Sequence, residues 1–242
     1  MENLSYIGLS RLSTMRREMD VIANNLANMN SNAYKGERVM FEEFLKTTPN
    51  QREKHSFVTD SSVLRNTAIG KLEHTGNTFD LAITGPGYLT VETPQGRRFT
   101  RDGHLRLDAD RRLVTSGGHP VLDNRGREIV LPADAADTPA ISVDGTINVG
   151  QQQIAKIDLV GFTNEQELRK TAQGLYATAQ EPQPAPVTST LAQGVLESSN
   201  VEPIIEMTNM IELLRQYQST QGMLDSEHER MRSAIQRLGR TA

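Results

Sequence analysis

With 242 residues, 36% of them hydrophobic and 5% aromatic, the chain can form one large domain or two small ones, but only a modest core for its length. Its net charge of −4, from 26 basic and 30 acidic residues, argues against a nucleic-acid partner, and no dense basic run suggests an anionic membrane. The absence of cysteine excludes disulfides, thiolate catalysis and zinc–thiolate sites.

The opening MENLSYIGLSRLSTMRREMD has no continuous apolar region, so no cleaved signal peptide is expected. No stretch along the chain approaches the ~18 apolar residues of a membrane span. Leu12, Met15, Met19, Ile22, Leu26 and Met29 alternate in spacings of three and four. That heptad seam predicts a helix over about residues 3–30. Arg16, Arg17, Glu18 and Asp20 fall on its solvated face, while the register continued backward meets Gly8 and Ser5. The helix ends in VIANNLANMNSNAYKG, which is crowded with asparagine, a poor helix former. Asn24, Asn25 and Asn28 lie off the seam, at f, g and c, and are expected to serve as polar contacts between subunits. Asn30 and Asn32 fall where the helix should stop.

Residues 36–75 are polar and without clear period, and read as an extended arm. From about residue 76 to 180 the pattern shifts toward period two, punctuated by GPG (85–87), RDG (101–103), SGG (116–118) and DNRG (123–126). This predicts a central antiparallel β domain, a sandwich or barrel. Its clearest hairpin is ISVDGTINV at 141–149, where Asp144-Gly145 suits a two-residue type I′ turn. Residues 181–199 begin EPQPAPVTST and read as a Pro-rich, extended linker.

A second helix is predicted over about 204–238, with Ser198-Ser199-Asn200 and Pro203 as start signals and Gly239 as a stop. Its seam is Met207, Met210, Leu214, Tyr217, Leu224, Met231, Ile235 and Leu238. Gln221 and His228 occupy polar seam positions suited to setting register. The fold class is therefore α+β. Residues 1–35 and 200–242 supply two long helices that pack as a coiled-coil-like domain. In it Leu12, Met15, Met19, Ile22 and Leu26 meet Met210, Leu214, Tyr217, Leu224 and Met231, within or between subunits. Two helices alone enclose little, so both ends are expected to be poorly ordered in the free monomer and to order when subunits pack together.

No catalytic, metal-binding or cofactor-binding constellation emerges, and the chain reads as a non-enzyme. His55, His74, His104, His119 and His228 show no metal-ligand spacing. Asp102, Asp108, Asp110 and Asp123 all sit at turn signals, where Asp bonds the local backbone. Gly85-Pro86-Gly87 lacks the Gly-Lys-Ser/Thr of a phosphate loop, and there is no nucleophile elbow. Arg97, Arg98, Arg101, Arg106, Arg111 and Arg112 read as a solvated or subunit-contact face. The rival readings are a ligand-binding β module oligomerised by its helices, and a glycan hydrolase. The hydrolase would need two carboxylates facing across a cleft.

Several ordered motifs resemble those of the bacterial flagellar rod–hook axial proteins, over nearly the whole chain. MDVIANNLANMNSNAYK (19–35) resembles the family's N-terminal signature. GNTFDLAI (76–83) with GPGY (85–88) resembles its β-domain opening, and FTRDG (99–103) its Tyr-Thr-Arg-Asp-Gly turn. GVLESSNV (194–201) and EMTNMI (206–211) resemble its C-terminal block. Length and opening look most like a proximal-rod subunit, with a distal-rod subunit as the alternative. The resemblance implies a structural subunit that polymerises through its terminal helices, with other rod subunits and the flagellar export apparatus as partners. It also implies a periplasmic location in the basal body, type III export without a cleaved signal, and neither nucleic acid nor membrane insertion. The family pattern has Gly where Ala33 stands; a positive φ there strains Ala, so Asn32 is expected to take the left-handed turn instead.

Overall fold

The computed structural model describes residues 2–47, 54–132 and 139–238. These fall into two compact units. The first comprises Met1–Ala27, Glu37–Asn66 and Glu202–Ala242, the second Asn28–Gly36 and Thr67–Val201.

In the first unit, α1 (Glu2–Ala27) and α2 (Pro203–Leu238) pack antiparallel. Gly8 lies beside Leu224 at one end and Asn25 beside Glu206 at the other. Pro203 opens α2, where a missing N–H leaves no helical bond unmade. The predicted stop at Gly239 lies outside the described residues. Strands β1 (Glu37–Thr47) and β2 (Lys54–Arg65) form a long antiparallel hairpin running from Glu37↔Arg65 to Thr47↔Lys54. Residues 36–75 therefore hold paired strands where an arm without period was expected. Opposite Met40 and Phe41 the register shifts by one extra residue in β2, which interrupts the regular alternation of that strand.

The second unit is the antiparallel β domain. Its largest sheet runs Arg169–Lys170, Leu175–Ala177, Gly96–Thr100, Tyr88–Thr93, Leu159–Gly161, Gln183–Pro184. Leu81–Thr84 pairs with Thr190–Gln193, and Leu72–His74 with Val195–Glu197. Residues 181–199 thus contribute three short strands where an extended linker was expected. Pro184 sits on the edge strand, where an absent N–H breaks no ladder. One core cluster gathers Leu81, Ile83, Leu89, Leu105, Leu113 and Ile147 among others. A second is aromatic, with Tyr88 edge-on to Tyr176 at 5.6 Å and Phe99 edge-on to Phe162 at 4.8 Å between centroids.

The predicted hairpin at 141–149 is present, but its turn is different. Ile141 pairs with Ile147, and Gly145 N–H donates to the Ser142 carbonyl at 2.9 Å. Gly145 has φ +86° while Asp144 keeps a negative φ. A type I′ turn needs positive φ at both central residues. This is instead a type I turn over Val143-Asp144 closed by a left-handed glycine, the three-residue hairpin connection.

Candidate functional site

Along α1 the seam faces inward. Met15 and Ile22 are buried, while Leu12, Met19 and Leu26 are half-buried. Gly8, where the seam register continued backward loses its apolar side chain, makes room for Leu224: a Cβ there would lie 2.6 Å from Leu224 Cδ2. On α2 the inward residues are Met210, Leu213, Tyr217, Leu224, Glu227 and Met231. Met15, Ile22 and Leu213 form the buried cluster, flanked by Met19, Met210 and Tyr217. Leu214, Gln221, His228 and Met207 are exposed. The side chains of Ile235 and Leu238 lie outside the described residues. From Met210 a step of three reaches Leu213 and a step of four reaches Leu214, and both are leucine. The same ambiguity recurs at Thr220/Gln221 and Glu227/His228. The helix takes the first of each pair inward, so Gln221 and His228 point away from α1.

Asn25 is 1% exposed, and its amide bridges three elements of the helical unit. Its Oδ1 accepts from the Glu37 N–H at 2.9 Å, and its Nδ2 donates to the Glu37 carbonyl at 2.8 Å and to Glu206 Oε1 at 3.3 Å. Asn25 is thus used inside the chain, tying α1 to the first residue of β1 and the first turn of α2. Asn24 is exposed. Asn28 is half-buried and accepts from the Ser31 hydroxyl at 3.1 Å in the turn that follows the helix. Val21, Ile22, Val39 and Leu213 line a cleft of about 440 Å³ together with Glu18 and Glu212. Burial pushes the Glu18 carboxyl above its ordinary value.

After α1 the chain makes a tight turn in which Ala33 itself takes φ 51°. The left-handed residue is therefore Ala33 and not Asn32. Ala33 is buried, and its N–H donates to the Glu197 carbonyl at 2.7 Å, a contact that holds the strained backbone in place.

Two residues further on lies a buried ionic cluster that the sequence reading did not find. Glu197 Oε1 accepts from Lys35 Nζ and from the Gly70 N–H at 3.0 Å. Its Oε2 accepts from Arg101 Nε at 3.2 Å and Nη2 at 3.0 Å. Arg101 also donates to the carbonyls of Gly85, Gly87 and Ile83 at 3.1, 2.8 and 3.1 Å. Every polar end of the cluster is satisfied, as a charge group this deeply buried requires. Burial alone would raise the Glu197 carboxyl, but Arg101 and Lys35 outweigh it and hold it below its ordinary value. Burial lowers the Lys35 ammonium, and Glu197 offsets this only in part. Arg101 therefore leaves the solvated arginine face to which the sequence reading assigned it. In the same turn Gly103 is obligatory, because a Cβ would meet the Leu81 carbonyl oxygen at 1.6 Å.

Asn200 completes this junction. Its Oδ1 accepts from the Gly36 N–H at 2.8 Å, its Nδ2 donates to the Ala68 carbonyl at 2.9 Å, and its N–H donates to the Tyr34 carbonyl at 3.2 Å. Lys170 caps the Lys35 carbonyl at 2.7 Å and stands 3.8 Å over the Tyr34 ring.

The turn aspartates bond locally. Asp108 accepts from the Asp110 and Arg112 N–H groups, and Asp123 from those of Arg125 and Arg127. Among the described residues no cluster of His, Asp and Glu could hold a metal ion, and no helix is long and apolar enough to cross a membrane.

Three family models match the chain. They are described as flagella basal body rod protein over residues 6–35, flagellar hook protein FlgE/F/G D1 domain over 82–149, and flagellar basal body rod FlgEFG protein C-terminal over 192–237. The chain is 38% identical over 244 residues to the flagellar basal-body rod protein FlgF of Caulobacter vibrioides, covering 99% of each. It is 31% identical over 241 residues to FlgF of Mesorhizobium japonicum, again covering 99% of each. It is 30% identical over 256 residues to FlgG of Bacillus subtilis, covering 95% of this chain and 97% of that one. Lys35, Arg101 and Glu197 come one from each of the three matched segments.

Proposed function

Because the chain belongs to the bacterial flagellar basal-body rod protein family, we propose that it is a proximal-rod subunit that polymerises through α1 and α2 into the axial drive shaft. It is a structural, axial subunit and not an enzyme. The observation that carries this reading is the single carboxylate of Glu197, which joins residues from all three matched segments. That cluster is buried and fully bonded within the β unit, which is a structural task. The proximal assignment is supported by end-to-end agreement with the two FlgF relatives, 99% of both chains in each case. The FlgG alignment is longer, at 256 positions, and covers slightly less of each chain. The distal-rod alternative rests on the comparable 30% identity to FlgG. Partners on this reading are other rod subunits in the periplasm, and the flagellar export apparatus, which takes the chain without cleaving a signal.

Deletion of the gene followed by imaging of basal bodies tests the assignment. The expected result is loss of the rod beyond its base, restored by a proximal-rod relative and not by a distal-rod one. A proximal rod of full length with only its distal segment missing would move the chain to the distal position. An unchanged rod would remove it from the axial structure.

A further inference from the structure

The chain gathers its oxidisable sulfur in one unit. It has nine methionines and neither cysteine nor tryptophan. All but Met29 lie in the helical unit, Met29 stands just past α1, and residues 41–206 contain none. The large core of the β unit is therefore aliphatic and aromatic, without a thioether. The small core of the helical unit is built around thioethers.

These sulfurs differ in exposure. Met40, Met207 and Met223 are 47, 45 and 69% exposed and lie outside the buried cluster of the helix pair. Met19 and Met210 are half-buried, one on each helix, and pack against that cluster. Met15, inside it, is 6% exposed. A flexible thioether suits such a seam, because it fills irregular gaps between helices. The same sulfur is the weak point, since one added oxygen turns an apolar side chain into a polar one. Of the six residues in and around the cluster, only Tyr217 carries a side-chain donor. A sulfoxide oxygen held there without a donor opposes burial.

We propose that Met19 and Met210 form an oxidative modification site, through which a peroxide opens the α1–α2 pair and spares the β unit. The thioether sulfur attacks one oxygen of hydrogen peroxide. An S–O bond forms, the O–O bond breaks, and the other oxygen leaves as water with both protons. Sulfur loses two electrons and the peroxide gains them, so no further reactant is needed. Exposure sets the order of events. Met40, Met207 and Met223 react first and leave the pairing intact. Met19 and Met210 follow, and Met15 becomes reachable only as the helices part. Methionine sulfoxide reductases undo the change, one enzyme for each sulfoxide epimer, which makes the site a reversible switch. The inference does not depend on where in the rod the chain sits.

Purified full-length protein is treated with graded hydrogen peroxide. Peptide mass spectrometry maps sulfoxide at each methionine, circular dichroism follows helicity, and amide exchange follows the strands around Leu89 and Phe99. The expected result is unchanged helicity while Met40, Met207 and Met223 are oxidised. Helicity then falls by about half as sulfoxide reaches Met19 and Met210, with Met15 following. Exchange around Leu89 and Phe99 stays as it was, and the two reductases together restore the helical signal. Leu is close to Met in volume and helix preference. Met19→Leu combined with Met210→Leu should therefore keep its helicity at the same dose, whereas Met207→Leu combined with Met223→Leu should give no protection. Sulfoxide at Met19 and Met210 with helicity retained overturns the site, as does equal loss in the inner-pair variant. Protection by the outer-pair variant would overturn it as well, and that readout stands even where the inner-pair variant folds poorly. Met19 and Met210 left unmodified at a dose that fully oxidises Met223 would show that peroxide does not reach them, which ends the proposal.

Discussion

Glu197, with 1% of its side chain exposed, answers two cations and one backbone N–H with two oxygens. Its substitution therefore strands charge in a place water cannot reach. Glu197→Gln should destabilise the β unit by about 3–5 kcal/mol, as the loss of one partner from a buried ion cluster does; urea unfolding followed at the β unit measures this. The pH dependence has a definite sign. The folded carboxyl lies below its ordinary value, so its contribution is present above about pH 4.3, the unfolded value, and is lost as pH falls through the folded one. Wild-type protein should lose stability below about pH 4, and Glu197→Gln should show a shallower acid slope; equal slopes would mean that Glu197 does not titrate with folding. Ala33 presents the other residue-scale test. Replacing it with Gly removes strain of ~1–2 kcal/mol. That change also loses a buried methyl, ~0.8 kcal/mol, and frees the unfolded chain by ~0.4–1 kcal/mol. Ala33→Gly should be nearly neutral, whereas Ala33→Val, β-branched and buried at positive φ, should cost about 2–4 kcal/mol in the same assay. Neither residue's role was readable from spacing. Arg101 sat in a recognisable turn motif, yet its partner lies 96 positions away, and one-dimensional pattern carries no trace of such a pairing.

At the scale of elements, α1 was visible in the sequence because Leu12, Met15, Met19, Ile22 and Leu26 keep one unbroken seam. The α2 seam was visible to within one residue. Met210, Tyr217, Leu224 and Met231 hold on either choice, while the adjacent leucines 213 and 214 satisfy the heptad equally, and burial puts the first inside. The resulting test is direct. Leu213→Asp should disrupt the α1–α2 pair in the free chain and lower its helicity, whereas Leu214→Asp should leave helicity intact and reduce assembly. Circular dichroism and rod incorporation, measured on both variants, separate the two effects, and equal loss of helicity would reject the two-faced reading of α2. Leu26→Asp belongs with the inner seam and should abolish rod incorporation and motility while the β unit stays folded; normal motility would count against that seam. In the β1–β2 hairpin, β2 was hidden for a different reason, since the extra residue opposite Met40 and Phe41 interrupts its alternation. The strands of residues 181–199 were hidden because proline, usually a sign of irregular chain, is here placed where a strand tolerates it.

At the scale of the whole molecule, the two units differ in how much they bury. The β unit has a large aliphatic cluster and a separate aromatic one. The helical unit's buried cluster is Met15, Ile22 and Leu213 with three half-buried neighbours, and α2 leaves Ile204, Ile205, Met207, Ile211, Leu214 and Met223 exposed. The low hydrophobic content of the chain therefore falls unevenly, and its apolar helix surface exceeds what one copy can cover. Helical hydrogen bonds do not replace missing packing, because isolated helices are marginal in water. Local opening follows buried contact, so the helical unit should open at lower free energy than the β unit. In purified full-length protein, amide exchange should be fastest within residues 1–27 and 202–238 and slowest in the strands around Leu89 and Phe99. Limited proteolysis should cut the helices first and leave a fragment spanning residues 67–201. On assembly the same helices should become protected, because their exposed apolar side chains are then covered. Helices that resist exchange and protease as long as the β unit does, in dilute protein with no partner, would show that the two-helix unit is sufficient alone, and ordering on assembly would no longer explain the uncovered face of α2.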